Sequence, residues 1–71
     1  MEICSYIGNA VRGRRKLLKI DQKTLAELAG VGVNVITRIE RGESNTSLKV
    51  LVKVLDTLGL DIRIMTKGGE R

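Results

Sequence analysis

The chain has 71 residues, with no proline, no histidine and a single cysteine. A chain of this length forms one small domain and buries only about 60% of the surface that its unfolded state exposes. One cysteine cannot close an intrachain disulfide, and no His and Cys cluster exists to hold zinc, so self-association is the expected source of additional stability. Composition therefore predicts a single domain over residues 1–71, acting as a homodimer with no metal and no cofactor.

The charge is strongly basic, with 13 Lys and Arg against 8 Asp and Glu, a net charge of +5. Tyr6 is the only aromatic residue, which disfavours RNA and single-strand binding by base stacking. The longest uncharged stretch, residues 28–37, is far shorter than the roughly 18 residues of a membrane span. No secretory signal is visible at the N-terminus, so we expect a cytoplasmic protein in which Cys4 is reduced and no membrane partner.

Glycines and polar clusters divide the sequence into four predicted helices followed by a tail. The first helix is predicted over about Tyr6–Leu18, with Ser5 as its N-cap. The fourth begins after Thr46 or Ser47 and reaches Leu58. Its apolar residues recur at three- and four-residue spacing and form the most regular face in the chain: Leu48, Leu51, Val52, Leu55 and Leu58.

The second and third predicted helices are short and joined by a glycine-bearing turn. Asp21 is the expected N-cap of the second helix, and Gly30 ends it in a left-handed cap. The third is predicted over about Val33–Arg41. Such a pair has the helix-turn-helix layout, in which the later helix enters a DNA major groove about 12 Å wide. Its outward residues fit that groove because they are small, neutral or basic: Asn34, Thr37, Arg38 and Arg41.

The tail has a different pattern. Leu60, Ile62 and Ile64 alternate with Asp61 and Arg63, which predicts a strand over about residues 60–67. A single strand needs a partner for its backbone groups, and the same strand of a second copy, antiparallel across a two-fold axis, is the simplest one. The alternative is a tail whose aliphatic side chains pack on the helices.

An enzymatic function finds little support in the sequence. It has no histidine, no nucleophile next to a base, no paired carboxylates and no glycine-rich phosphate loop. We therefore expect a protein that is not an enzyme and has no small-molecule substrate.

Three segments together resemble a known family. The stretch QKTLAELAGV from Gln22, the stretch ITRIERG from Ile36 and the apolar helix Leu48–Leu58 are similar to the Cro/CI, or XRE-type, helix-turn-helix regulators. The resemblance covers about Ile7–Leu60. It implies a mainly α, lambda-repressor-like DNA-binding domain of four to five helices. It also implies a homodimeric repressor of a palindromic operator in double-stranded DNA.

The resemblance also assigns roles to single residues. Base contacts fall on Val33, Asn34, Thr37 and Arg38. Phosphate contacts fall on Gln22, Lys23, Arg41, Ser44 and Asn45, with the edge of the first base pair as the alternative for Gln22. Three residues depart from the family pattern: Gly32 lacks a capping side chain, Val33 offers only apolar contact, and Glu43 puts an acid in a loop expected to meet phosphate.

Family members commonly pair an arginine late in the first helix with a glutamate near the end of the recognition helix. The corresponding residues are Arg15 and Glu40, so the resemblance implies a structural ion pair. Arg12, Arg14 and Lys16 remain as candidates for a solvated or DNA-facing surface.

The strand-like tail resembles that of the HipB-type antitoxins, whereas typical family members continue with a fifth helix. In that subfamily, terminal strands of two subunits pair, and a kinase-like toxin is held as co-repressor. Two functions therefore stay open. One is a stand-alone repressor, and the other is an antitoxin whose main task is neutralising a kinase-like toxin.

Overall fold

A computed structural model describes residues 2–67 of the chain. Four α-helices follow one another: α1 (Glu2–Leu17), α2 (Gln22–Ala29), α3 (Val33–Glu40) and α4 (Leu48–Thr57). The mainly helical fold and the bounds of the two short helices agree with the sequence prediction. The first helix does not, because α1 begins at Glu2 rather than near Tyr6. Ser5 therefore lies inside α1 and is not its N-cap, while Glu2 provides the acidic first turn that a helix N-terminus favours.

All four helices end in the same backbone motif. Two amide groups beyond each helix donate back to carbonyls of its last turn, for example Leu60 N to Leu55 O at 2.8 Å and Val31 N to Ala26 O at 3.0 Å. The motif needs one residue in the left-handed region. Glycine serves at the ends of α2, α3 and α4, whereas Lys19 adopts this conformation after α1 with φ 60°.

The core lies where all four helices meet. Its five largest fully buried side chains are Val11, Leu25, Ile36, Val54 and Leu58. The predicted apolar face of α4 needs correction, because Leu48 and Val52 are exposed and Val54 is buried instead. The buried face of α4 is therefore rotated from the one predicted, and an apolar strip of the helix remains at the surface.

Helices α1 and α3 cross with almost no space between their backbones. A Cβ atom added at Gly8 would collide with the Ile39 carbonyl oxygen and lie 3.1 Å from that of Glu40. Gly8 is therefore the residue that allows α1 to approach α3, and this approach brings Arg15 near Glu40.

The tail, defined here as residues 60–66, forms neither helix nor strand. The strand predicted there is absent because residues 2–67 of a single copy offer no neighbouring strand to pair with. Leu60 packs on the core, Ile62 is partly exposed, and Ile64 is 97% exposed. The alternative prediction, a tail whose aliphatics pack on the helices, thus fits Leu60 and fails at Ile64.

Residues 2–67 contain neither a membrane-spanning helix nor a grouped set of metal ligands. No helix in this range has the length and apolar character needed to cross a membrane. Within the same range, no three His, Cys, Asp or Glu side chains are grouped so that they could hold a metal ion.

Candidate nucleic-acid interface

Helices α2 and α3 form a helix-turn-helix unit whose geometry follows from local sequence. Asp21 caps α2 by accepting a hydrogen bond from the Thr24 amide at 2.8 Å, as predicted. This bond from the Thr24 backbone lowers the pKa of the Asp21 carboxyl. Gly30 ends α2 with φ 72°, and Gly32 precedes α3 without a side-chain cap. The turn between the helices is residues 30–32.

Arg15 and Glu40 form the predicted ion pair, which joins α1 to the end of α3. Arg15 Nε lies 2.7 Å from Glu40 Oε2, and Arg15 Nη2 lies 3.0 Å from Oε1. The third nitrogen, Nη1, donates to the Ile20 carbonyl at 3.0 Å. The two side chains are 11% and 5% exposed, so a two-pronged contact between buried charges fixes both helices.

Opposing effects act on the Glu40 carboxyl. Burial acts to raise its pKa, but hydrogen bonds from Arg15 and Gln22 and the charges of Arg15 and Arg12 act to lower it. The net result is a pKa below the usual value, so Glu40 is ionised at neutral pH. The same hydrogen bond to Glu40 raises the pKa of Arg15.

Gln22 connects this ion pair to the outward side of α3. Its Nε2 donates to Glu40 Oε1 at 3.0 Å, and its Oε1 accepts from the Thr37 hydroxyl at 3.0 Å. The Thr37 hydroxyl also lies 3.1 Å from the Val33 carbonyl, so its one proton is shared between two acceptors. The first residue of α2 is therefore held by α3 in the free protein, a role for Gln22 that sequence analysis missed.

The predicted base-reading residues lie on the first two turns of α3. Val33 and Asn34 are exposed, whereas Thr37 and Arg38 are half-buried. Arg38 Nε is shielded from solvent and has no hydrogen-bond partner in the part of the chain that is described. This side of α3 thus combines an amide, a methyl group and a guanidinium, which are groups suited to the edges of base pairs.

The predicted phosphate-contacting residues surround that face. Lys23 is exposed on the first turn of α2, and Ser44 and Asn45 are exposed in the loop after α3. Arg41 Nη1 lies 3.7 Å from Glu43 Oε2 in an exposed ion pair. Glu43 therefore offsets part of the positive charge that Arg41 would offer to a phosphate.

Arg14 belongs to the structural part of the molecule, which corrects its prediction as a surface or DNA-facing residue. Its Nε donates to the Leu58 carbonyl at 2.8 Å and so caps the end of α4. Arg12 and Lys16 are exposed, as predicted. The sequence carried no signal for the Arg14 contact, because Leu58 lies 44 residues further along the chain.

Comparison with known proteins gives the same family as the sequence motifs. A model of helix-turn-helix proteins matches residues 11–65. The HTH-type transcriptional regulator y4mF of Sinorhizobium fredii is 38% identical over 65 residues, covering 92% of this chain and 86% of the relative. An HTH-type transcriptional regulator of Haemophilus influenzae is 43% identical over 51 residues, covering 72% of this chain and 52% of the relative.

A third relative is similar over nearly the whole chain. The control protein C.SmaI of Serratia marcescens is 29% identical over 70 residues, covering 97% of this chain and 83% of the relative. None of these three names mentions an antitoxin, and the HipB-type subfamily stays a prediction. Since the family model matches most of the described chain, including α2, the turn and α3, the chain belongs to the XRE-type helix-turn-helix family.

Proposed function

We propose that this chain is a transcriptional repressor that binds duplex DNA as a homodimer and reads a two-fold symmetric operator with α3. Family membership supports DNA binding. The observation that carries the proposal is the outward side of α3, where exposed Asn34 lies about one turn before half-buried Thr37, while the two residues between them pack towards the core. An asparagine amide can bond both polar atoms of an adenine edge, and a methyl group can contact a thymine methyl.

Arg38 adds a second argument. A buried nitrogen without a partner is uncommon in a folded protein and calls for an explanation. Because Nε is shielded from solvent, the Arg38 side chain would have to turn outward on binding, and a guanine edge or a phosphate oxygen would then supply the acceptor that Nε lacks.

The positive charges around α3 support a sequence-independent contribution to binding. Lys23 and Arg41 flank the proposed reading face, and Gln22 begins α2 beside it. Each phosphate neutralised by such a residue releases counterions, so affinity falls as salt rises. Glu43 lies beside Arg41 and reduces this contribution without removing it.

A dimer is proposed because a single α3 reads too few base pairs for a specific site. Two copies related by a two-fold axis would present their α3 helices about 34 Å apart, one turn of the duplex, and occupancy of the operator would exclude polymerase. The exposed apolar side chains of the tail and of α4 support self-association.

Selection from a random duplex library tests the proposal. We expect the recovered sequences to share an inverted repeat whose half-sites lie about one helical turn apart. Affinity for the selected site should fall steeply with salt, with a slope near −0.9 for each phosphate contact. Recovery of no shared sequence, together with binding weaker than about 10⁻⁴ M at low salt, would contradict it.

A further inference from the structure

An apolar groove of about 580 Å³ lies between the first half of α1, α4 and the tail. Several large apolar side chains of its walls are exposed in the single copy, among them Tyr6 at 72% and Leu48 at 67%. The groove is on the side of the molecule formed by α1, α4 and the tail, and none of its lining residues comes from α2 or α3. Its occupant therefore leaves the proposed DNA-binding face free.

The tail runs along this groove and starts from a fixed point. Leu60 packs on the core, and its amide donates to the Leu55 carbonyl at 2.8 Å. Further along, Asp61 and Arg63 form an ion pair, with Arg63 Nε 3.8 Å from Asp61 Oδ2. Two residues apart in an extended chain, they share one face, which leaves Ile62 and Ile64 on the other.

We propose that the tails of two copies pair antiparallel about a two-fold axis through Ile62, so that Asp61 of each copy faces Arg63 of the other. This register rests on the homodimer proposed above. The Ile62 amide donates to Asp61 Oδ1 at 3.0 Å, and pairing supplies backbone partners to the other peptide groups beyond Leu60. The apolar face of the paired tails then covers the grooves of both copies.

Charge excludes two of the three alternative registers. In an antiparallel pair of strands, directly opposed residues point to the same face. The two-fold axis must therefore pass between the two copies of one residue, because only then do the apolar side chains of both tails lie on one face. An axis through Asp61 would place two carboxylates opposite each other, and an axis through Arg63 would oppose two guanidinium groups. Both arrangements are unfavourable between strands.

An axis through Ile62 satisfies both faces of the ribbon. Each Asp61 meets an Arg63, which gives two attractive pairs, and each Leu60 meets an Ile64 across the axis. An axis through Ile64 would also give two attractive pairs, Asp61 with Lys67, but it would place Ile62 opposite the polar Thr66 and Arg63 opposite Met65. Opposed residues of complementary type stabilise an antiparallel pair, so the Ile62 register is favoured.

Two charge reversals test the register. In the Asp61→Arg homodimer, the introduced arginine would face Arg63 twice, and in the Arg63→Asp homodimer the introduced aspartate would face Asp61 twice. Each variant alone should associate at least about tenfold more weakly than the native chain in sedimentation at low salt. An equimolar mixture of the two should form heterodimers with affinity within about threefold of native, because the introduced arginine then faces the introduced aspartate and the native Arg63 of one chain faces the native Asp61 of the other.

The mixture is informative because both variants have lost the Asp61–Arg63 pair within the chain, so only contacts between copies can restore association. Lys23→Glu is the matched control. It changes the net charge as much as Arg63→Asp does, lies on α2 away from the groove, and should leave association unchanged.

Each other outcome overturns the register. Variants that self-associate as tightly as the native chain would show that these charges do not face each other. Preferential pairing of Asp61→Arg with the native chain would place the axis at Asp61 instead. A native chain that stays monomeric at about 100 μM would contradict the register and also the homodimer of the proposed function. The library selection tests the homodimer separately, because an inverted repeat would still require two copies on the DNA.

Discussion

The Thr37 hydroxyl lies 3.0 Å from the Gln22 amide oxygen, so the outward side of α3 is tied to the head of α2 before any DNA is bound. Gln22 in turn donates to Glu40, which Arg15 holds from α1. A chain of hydrogen bonds therefore runs from the structural ion pair to the proposed reading face. Because the Thr37 hydroxyl is engaged, its methyl group is the part that remains for a base.

Two substitutions at Thr37 separate these two roles. Thr37→Ser keeps the hydroxyl and removes the methyl, so we expect about a three- to tenfold smaller ratio of operator to scrambled-duplex affinity. Thr37→Val keeps the methyl and removes the hydroxyl. It should weaken binding to both duplexes alike by releasing Gln22. Titrations of both variants with the two duplexes measure this, and the reverse pattern would mean that the hydroxyl reads the base.

Removing the Arg15 side chain should destabilise the fold severely. Arg15→Ala leaves the Glu40 carboxylate buried without its charged partner, at a cost of about 3–5 kcal/mol in the free energy of unfolding. That is comparable to the whole stability of so small a domain. Urea denaturation followed by circular dichroism gives the value, with Lys16→Ala on the exposed side of α1 as control. A loss below about 1 kcal/mol would contradict a structural role for the pair.

Acid should weaken the fold through the same group. The pKa of Glu40 is lowered in the folded protein, so its stabilisation is complete above the unfolded value of about 4.3 and is lost as pH falls through the folded pKa. Asp21 acts in the same direction. Denaturation between about pH 6 and pH 2 should therefore show falling stability, with a shallower fall for Glu40→Gln than for the native chain. Parallel curves would assign the acid sensitivity to other carboxyls.

Two glycines of α1 should respond to alanine in opposite ways. Gly8→Ala places a methyl group against the Ile39 carbonyl, so the helices must separate, and we expect a loss of more than about 2 kcal/mol. Gly13 has open space around its Cβ position, and Gly13→Ala should add about 0.5–1 kcal/mol through helix propensity. Thermal unfolding of both variants tests the pair. Equal effects would exclude a close crossing of α1 and α3.

Features that depend on a few neighbouring residues could be predicted from the sequence. Asp21 caps α2 and Gly30 ends it because both act on backbone groups within five residues. The Arg15–Glu40 pair spans 25 residues and was found only because the family resemblance supplied the partner. Gly8 could be suspected, since it lies one turn before buried Val11 on the same face of α1, but the approach of Ile39 depends on packing.

In the tail, the alternation of apolar and charged residues identifies the two faces of a possible strand but not the segment with which it would pair. Alternation at Leu60, Ile62 and Ile64 has the period of a strand, yet a strand exists only when another chain segment supplies hydrogen bonds. Arg14 shows the same restriction. Nothing near it in sequence indicates that it would reach the Leu58 carbonyl rather than solvent.

Asn34→Ala tests most directly the central claim, that α3 reads base edges of duplex DNA. The measurement compares the affinities of the native chain and the variant for the selected operator and for a scrambled duplex at one salt concentration. We expect Asn34→Ala to lose about tenfold or more on the operator and little on the scrambled duplex, while Gln22→Ala weakens both alike. Equal loss on both duplexes from Asn34→Ala, or none on either, would contradict base readout by α3.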